Sequence, residues 1–213
     1  MLVFFYNAES IGEKGVAGIK LVAARKEIAL ARKALEGLKS ASSPDEEDTH
    51  WKEFIGRLTR FWNKTESSLK GDPKFFNSPH VKRVKAALKS DELIRYLSQA
   101  RHVDEHRHEE TTGVMPGGFE NVSIRDPSMR VRNPKITING VTMDVPPPPG
   151  FQRGAVRAEL RLKTVKNRDQ TYAVPRTHAG HDITLASVQT CADLGLAFYE
   201  SVLDGLEQDG WDA

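Results

Sequence analysis

Hydrophobic residues recur every three or four positions through the first half of the chain and again near its end, which is typical of helices with one buried face. The second predicted helix has the clearest start, because Ser43, Pro44 and Glu46 supply an N-cap, a proline at the first helical position and a capping-box acid. The pattern predicts helices over residues 16–38, 44–70, 79–89, 90–110 and 184–206, the fourth with Ser90 as its N-cap.

Between residues 119 and 174 the pattern changes to alternation of apolar and polar side chains, which is typical of β-strands. The residues on either side of the Asn139–Gly140 turn alternate in this way and predict a β-hairpin. A further strand is predicted over residues 155–165, followed by a turn at 167–169 and by residues 171–174 as the partner strand. Together these strands predict a small antiparallel sheet with one basic face.

A sheet this small does not offer enough apolar surface to cover the last predicted helix. We therefore expect residues 184–208 to return to the first four helices. The predicted fold is α+β and mainly α: an antiparallel helical bundle with a small antiparallel β-sheet inserted before its last helix. Residues 1–115 would form the bundle, completed by residues 184–208, and residues 116–175 would form the inserted sheet, in one compact unit.

Composition narrows the class of protein only slightly. The net charge is +2 over 213 residues, so any electropositive site must be local. The single cysteine, Cys191, excludes an internal disulfide and lies in an apolar helical pattern, which favours a buried thiol. No stretch reaches the about eighteen apolar residues of a membrane span, so we expect a cytoplasmic protein without a membrane partner.

One predicted helix carries a dense cluster of reactive side chains. Residues 101–108 read Arg-His-Val-Asp-Glu-His-Arg-His and hold three of the seven histidines. At about 100° per residue, Arg101 and His106 flank the apolar stripe of this helix on opposite sides. Both side chains would reach one ligand if the helix lined a cleft.

The run from Arg101 to His106 resembles the Arg-x4–6-His motif of the HEPN (higher eukaryotes and prokaryotes nucleotide-binding) superfamily, in which the residue after the arginine is commonly Asn, Asp or His, here His102. The resemblance covers the helical part, about residues 14–112 and 184–208. It implies an up-and-down helical bundle with the motif on a late helix. Many members are metal-independent ribonucleases that act as dimers, often as toxins or in defence against phage, and others have lost catalysis. The His-x-Tyr continuation of some toxin members is absent here.

The resemblance implies an endoribonuclease site that needs no metal or other cofactor. His106 would accept the proton of the RNA 2′-hydroxyl, and Arg101 would hold the phosphate as its charge grows. His102 would hold or polarise its neighbours. A symmetric homodimer would set two copies of the helix across one groove. The implied partners are RNA, a second copy of the chain and an antitoxin.

Two other interpretations of the cluster remain open from the sequence. His102 and His106, four residues apart, could be two ligands of a metal ion, with His108 or an acidic residue elsewhere completing the site. Alternatively, ion pairs between residues four apart, such as Arg101 with Glu105, would make the cluster a charged helix end. The bundle would then serve as a non-catalytic protein-interaction module.

Two basic surfaces are candidates for binding the RNA backbone. One lies on the helix at 79–89 and the other on one face of the strand at 155–165. For both surfaces a solvated face is the commoner role. The candidate substrate-binding residues are Lys82, Arg83, Lys85, Arg157, Arg161 and Lys163.

Overall fold

The structure is a computed structural model that describes residues 20–107, 110–138 and 140–211, with the side chains of all of these except residues 106 and 107. Each predicted helix is present, although residues 16–19 and 108–109 of the predicted ranges lie outside the described part. No helix in that part is long and apolar enough to cross a membrane. The helices are α1 (Val22–Ser40), α2 (Pro44–Leu69), α3 (Pro79–Ser90), α4 (Glu92–Arg107) and α5 (Val188–Gln208), with a short 3-10 helix at Phe75–Asn77.

The start of α2 shows how local chemistry fixes a helix end. The hydroxyl of Ser43 accepts a hydrogen bond from the backbone N–H of Glu46 at 3.3 Å, and Pro44 occupies the first turn. The carboxylate of Glu46 accepts the backbone N–H of Ser42 at 2.6 Å, one residue earlier than in a standard capping box. The predicted start of α2 is confirmed.

The last helix returns to the bundle, as predicted, and packs against all four of the other helices. The rings of Tyr199 on α5 and Phe61 on α2 meet edge to face with their centroids 5.6 Å apart. Helix α5 begins at Val188 and not at residue 184, because the hydroxyl of Ser187 caps it by accepting a backbone N–H of the first turn at 3.0 Å.

The single cysteine lies inside this helical core. Cys191 on α5 is fully buried, as its apolar surroundings in the sequence predict. Burial raises the pKa of its thiol to about 12. The thiol is therefore protonated near neutral pH and packs as a small apolar group.

Short strands occupy the chain between α4 and α5, and the predicted fold class, α+β and mainly α, is confirmed. In the described part they form five small antiparallel sheets: β1–β7, β3–β2–β6, β4–β5, β8–β9 and β10–β11. Sheet β1–β7 packs on the bundle through α2 and α5, and β8–β9 packs on α4. The strands are β1 (Thr112–Met115), β2 (Gly118–Ser123), β3 (Arg130–Arg132), β4 (Lys135–Ile138), β5 (Val141–Asp144), β6 (Phe151–Val156), β7 (Glu159–Leu162), β8 (Val165–Asn167), β9 (Gln170–Tyr172), β10 (Thr177–His178) and β11 (His181–Asp182).

The strands do not form the one sheet that the alternation predicts. The predicted strand at 155–165 is divided among β6, β7 and β8, because consecutive segments pair with different partners: β6 with β2, β7 with β1 and β8 with β9. The hairpin is confirmed, since β4 pairs with β5 across the predicted turn, of which Asn139 lies outside the described residues. Alternation shows which segments are strands, but pairing depends on contacts distant in sequence.

Candidate functional site

Helix α4, which carries the Arg-x4-His run, begins at a carboxylate cap. Asp91 accepts the backbone N–H of Ile94 at 2.9 Å through its side chain. Ser90, the N-cap that the sequence favours for this helix, is instead the last residue of α3, and its hydroxyl donates to the carbonyl of Ala86 at 3.0 Å. A single residue, Asp91, therefore separates α3 from α4.

The same carboxylate ties the β10–β11 hairpin to the start of α4. Asp91 accepts the backbone N–H of Ala179 at 2.8 Å, and Nδ1 of His178 lies 3.1 Å from both of its oxygens. The neighbouring Glu92 accepts the backbone N–H of Arg176 at 2.8 Å. Burial raises the pKa of Asp91, but the hydrogen bonds from Ala179, Ile94 and His178 outweigh it and hold the pKa below its ordinary value of 3.8.

A polar cleft of about 520 Å³ lies between the middle of α4 and the β8–β9 hairpin. One wall is the helix and the other is the tip of the hairpin. Two arginines and one aspartate are its charged side chains, so the cleft carries mixed charge and not a purely basic lining. The lining residues are Thr59, Ser98, Gln99, Arg101, His102, Asn167, Arg168, Asp169, Gln170 and Tyr172.

The register of β8 with β9 determines which hairpin side chains face the helix. Val165 pairs with Tyr172 and Asn167 pairs with Gln170, so these four share one face. The amide nitrogen of Asn167 donates to Oε1 of Gln99 on α4 at 2.6 Å. This hydrogen bond fixes the hairpin tip against the helix and defines the width of the cleft.

The candidate catalytic arginine lies on the cleft wall but is already paired. Arg101 forms an ion pair with Glu105, one turn further along α4, as the charged-helix interpretation predicts. The side chains of Arg101 and Glu105 are 22% and 38% exposed, so solvent reaches both. The Nε of Arg101 has no hydrogen-bond partner in the described part of the chain.

The two candidate histidines are described to different extents. His102 lines the cleft beside Arg101. His106 lies within α4, but its side chain is outside the described part, and so is His108. Among the side chains that are described, no group of three or more His, Cys, Asp or Glu could hold a metal ion.

The acidic residue between these histidines points to another part of the bundle. Oδ1 of Asp104 lies 3.9 Å from Nζ of Lys52 on α2. Burial raises the pKa of Asp104 above its ordinary value. Asp104 therefore belongs to the α2–α4 interface and is not among the residues that line the cleft.

The basic residues of α3 do not line this cleft. Nη1 of Arg83 donates to the hydroxyl of Ser201 on α5 at 3.0 Å, and its guanidinium carbon lies 4.8 Å from the centroid of a phenylalanine ring. Lys85 lies with its Nζ 3.9 Å from a carboxylate oxygen of Glu66, and Lys82 is exposed. The structure therefore does not bring Lys82, Arg83 or Lys85 together with Arg101.

The basic residues near β7 lie elsewhere as well. Arg157 and Arg161 line a second cavity, of about 650 Å³, between α1, β7 and the start of α5. Nη2 of Arg157 donates to the carbonyl of Ala41 at 3.1 Å, and Nη2 of Arg161 lies 3.3 Å from Oε2 of Glu159. Lys163 is exposed and lines neither cavity.

The sequence does not reveal the second wall of the cleft. Residues 167–169 predict a simple turn, whereas Arg168, Gln170 and Tyr172 face a cavity together with Arg101. In the structure Arg168 has φ of 54°, the left-handed conformation that the tight turn between β8 and β9 requires.

Comparison with known protein families, with curated proteins and with solved structures found no match to this chain.

Proposed function

We propose that this protein is a HEPN-like RNA-binding or metal-independent RNA-cleaving protein, with Arg101, His102 and His106 as its site residues. It would act in the cytoplasm as a homodimer, in a toxin or defence system with an antitoxin as partner. The observation that carries the proposal is that Arg101 and His102 line a solvent-open cleft on the helix that holds the Arg-x4-His run.

The ion pair with Glu105 is compatible with this role. A part-exposed pair between residues four apart contributes only a few tenths of a kcal/mol. A phosphodiester offers two oxygens to a guanidinium, and such charge-assisted bidentate contacts are stronger than a solvated pair. A bound phosphate would therefore displace Glu105, and until then Glu105 holds Arg101 against the cleft wall.

The direct test compares RNA integrity and growth in cells that express the wild type or the double variant Arg101→Ala/His106→Ala. Loss of intact RNA and slower growth are expected for the wild type and not for the double variant. Arg125→Ala, which removes an exposed arginine outside the cleft, is the matched control and is expected to behave as the wild type. The purified protein should cleave RNA in the presence of EDTA, because no metal takes part. Intact RNA in every strain would contradict the cleaving activity.

A second variant tests whether Arg101 contributes to RNA binding. Glu105→Gln removes the competing carboxylate from Arg101, so RNA affinity is expected to rise about two- to threefold, which corresponds to a few tenths of a kcal/mol. The fold should be unaffected, because the pair is part-exposed. An unchanged or weaker affinity would mean that Arg101 does not contact the RNA.

One observation favours the alternative, a non-catalytic interaction module. The β4–β5 hairpin presents Ile136 opposite Met143 and Ile138 opposite Val141 on one face. The exposed fractions are 45% for Ile136, 48% for Met143, 51% for Ile138 and 60% for Val141. Contiguous exposed apolar patches of this kind mark interaction sites.

In this alternative, a second copy of the chain binds the apolar face of the β4–β5 hairpin. Four half-exposed side chains offer on the order of 400 Å² per copy, about half of a standard interface, which predicts weak self-association. Sedimentation over a range of concentrations should show a monomer–dimer equilibrium that Ile138→Glu abolishes. If RNA stays intact while Ile138→Glu removes the dimer, the interaction module is supported. A wild type that remains monomeric contradicts it.

A further inference from the structure

We propose that the cleft between α4 and β8–β9 binds one unstacked nucleotide of a single-stranded RNA, with the base against Tyr172 and its phosphate held by Arg101 and Arg168. This inference rests on the proposed function and names the form of RNA that the site takes. It also assigns a role to the hairpin at 165–172, which has no counterpart in the helical resemblance.

The shape of the cleft suits a single nucleotide. Its volume of about 520 Å³ is within the range of roughly 300–1,000 Å³ that is usual for sites of small molecules. Its walls are a helix and a hairpin tip joined by the Asn167–Gln99 hydrogen bond, so it is a slot and not an extended groove. A slot receives a base that has left its stack, whereas a duplex needs a long basic surface.

The hairpin wall offers the groups that recognise a base. Tyr172 supplies an aromatic ring, and its hydroxyl donates to Oε1 of Gln170 at 2.6 Å. Since Asn167 and Gln99 are bonded to each other, the groups offered to a base are Oδ1 of Asn167 and the amide nitrogens of Gln99 and Gln170. Single-stranded RNA is recognised in this way, by stacking on aromatic rings and by hydrogen bonds to exposed base edges.

The position of Arg95 supports the same assignment. Its guanidinium carbon lies 5.4 Å from the centroid of the Tyr172 ring. Arg95 lines the neighbouring cavity together with Tyr172 but is not among the residues that line the cleft, so the ring stands between the two spaces. A base that enters the cleft would complete a stack of base, tyrosine and arginine.

The charges of the cleft match one phosphodiester. Arg168 is exposed at the hairpin tip, and among the described residues it has no recorded ion pair. Its φ of 54° is the conformation that the tight turn between β8 and β9 requires, and it places the side chain among those that line the cleft. Asp169, on the same wall, disfavours a second phosphate nearby. The cleft is thus suited to one phosphate and one base, not to a triphosphate.

The test measures binding of a fluorescein-labelled, non-cleavable single-stranded oligonucleotide with 2′-O-methyl groups, by fluorescence anisotropy. Tyr172→Ala should weaken binding about tenfold or more, as expected for loss of one stacked base. Tyr172→Phe keeps the ring and should remain within about twofold of the wild type. Arg168→Gln should weaken binding and lower its salt dependence by about one phosphate contact. Arg125→Gln is the control and should change neither.

The outcomes distinguish this inference from the proposed function. If the wild type binds and cleaves RNA but Tyr172→Ala binds equally well, the nucleotide slot is wrong and the proposed function stands. Equal affinity for the same sequence as a duplex also contradicts the slot. If the wild type binds no RNA, both proposals fail.

A crosslinking experiment covers the case in which Tyr172→Ala does not fold. The wild type is irradiated with an oligonucleotide that carries 4-thiouridine, and the crosslinked peptide is identified by mass spectrometry. Attachment within residues 165–172 or on α4 between residues 98 and 102 supports the slot. Attachment only outside these two segments overturns it.

Discussion

The side chain of Asp91 joins three parts of the fold, and we expect Asp91→Ala to lower the free energy of unfolding by about 4 kcal/mol. It caps α4 through the N–H of Ile94 and holds the β10–β11 hairpin through Ala179 and His178. Loss of an N-cap costs about 1 kcal/mol. Each hydrogen bond to a charged group adds about 1.5 kcal/mol or more, and we take the lower value because water reaches Ala179 in the variant.

Urea denaturation followed by circular dichroism measures this difference. The matched control is Asp182→Ala, which removes an exposed carboxylate from the same hairpin and should change stability by less than about 0.5 kcal/mol. Because the pKa of Asp91 is below its ordinary value of 3.8, the ionised carboxylate stabilises the fold above that pH. Its contribution is lost as the pH falls through the lowered pKa. The difference in unfolding free energy between the wild type and Asp91→Asn should therefore have its full value at neutral pH and become smaller in acid.

Hydrogen exchange locates the effect. In Asp91→Ala the amides of residues 176–183 and of the first turn of α4 should lose protection, while those of α1 and α2 keep it. Equal stability of Asp91→Ala and Asp182→Ala would refute the reasoning, because the three hydrogen bonds would then contribute nothing. A gap that widens in acid would refute the sign of the pKa shift.

Three further predictions concern the core. Glu27 is 3% exposed and forms ion pairs with a lysine and an arginine of α2. Glu27→Gln should therefore lower the free energy of unfolding, measured by urea denaturation, by about 2–3 kcal/mol. The control Glu53→Gln removes an exposed carboxylate and should lower it by less than about 0.5 kcal/mol. Cys191 should resist a thiol reagent in native protein and react once urea unfolds it; rapid native labelling would contradict its burial. Gly195→Ala places a Cβ 2.5 Å from a leucine methyl of α4 and should cost about 1–3 kcal/mol. Gly56→Ala is the control, because its Cβ would contact only the flexible end of an arginine side chain. Thermal unfolding midpoints should show that this second variant is as stable as the wild type or more stable.

The helices could be predicted because their signals are local. The capping group at Ser43 and Pro44 and the three-to-four spacing of apolar residues act within one or two turns, and both predict α2 correctly. The same holds for the β4–β5 hairpin, whose turn and alternation are adjacent in sequence. The cap of α4 lies one residue after the predicted Ser90, at Asp91, because the hydroxyl of Ser90 bonds back to α3 and the carboxylate of Asp91 accepts an N–H of the first turn of α4.

The strand partners and the cleft could not be predicted, because they depend on residues distant in sequence. The hydrogen bond that defines the cleft joins Asn167 to Gln99, 68 positions apart. No local pattern distinguishes an asparagine in a turn from one that holds a turn against a helix. The alternation at 155–165 is similarly the same whether it forms one strand or three with different partners.

The ion pair between Arg101 and Glu105 fits both interpretations of the histidine cluster, so the surroundings have to separate them. A charged helix end needs only solvent beside it. Arg101 and His102 instead face a second wall, which the Asn167–Gln99 hydrogen bond holds at a fixed distance. An open polar cleft buries little apolar surface and so contributes little to the stability of the fold. The proposed nucleotide would use both walls of the cleft, whereas an isolated surface ion pair needs only the helix.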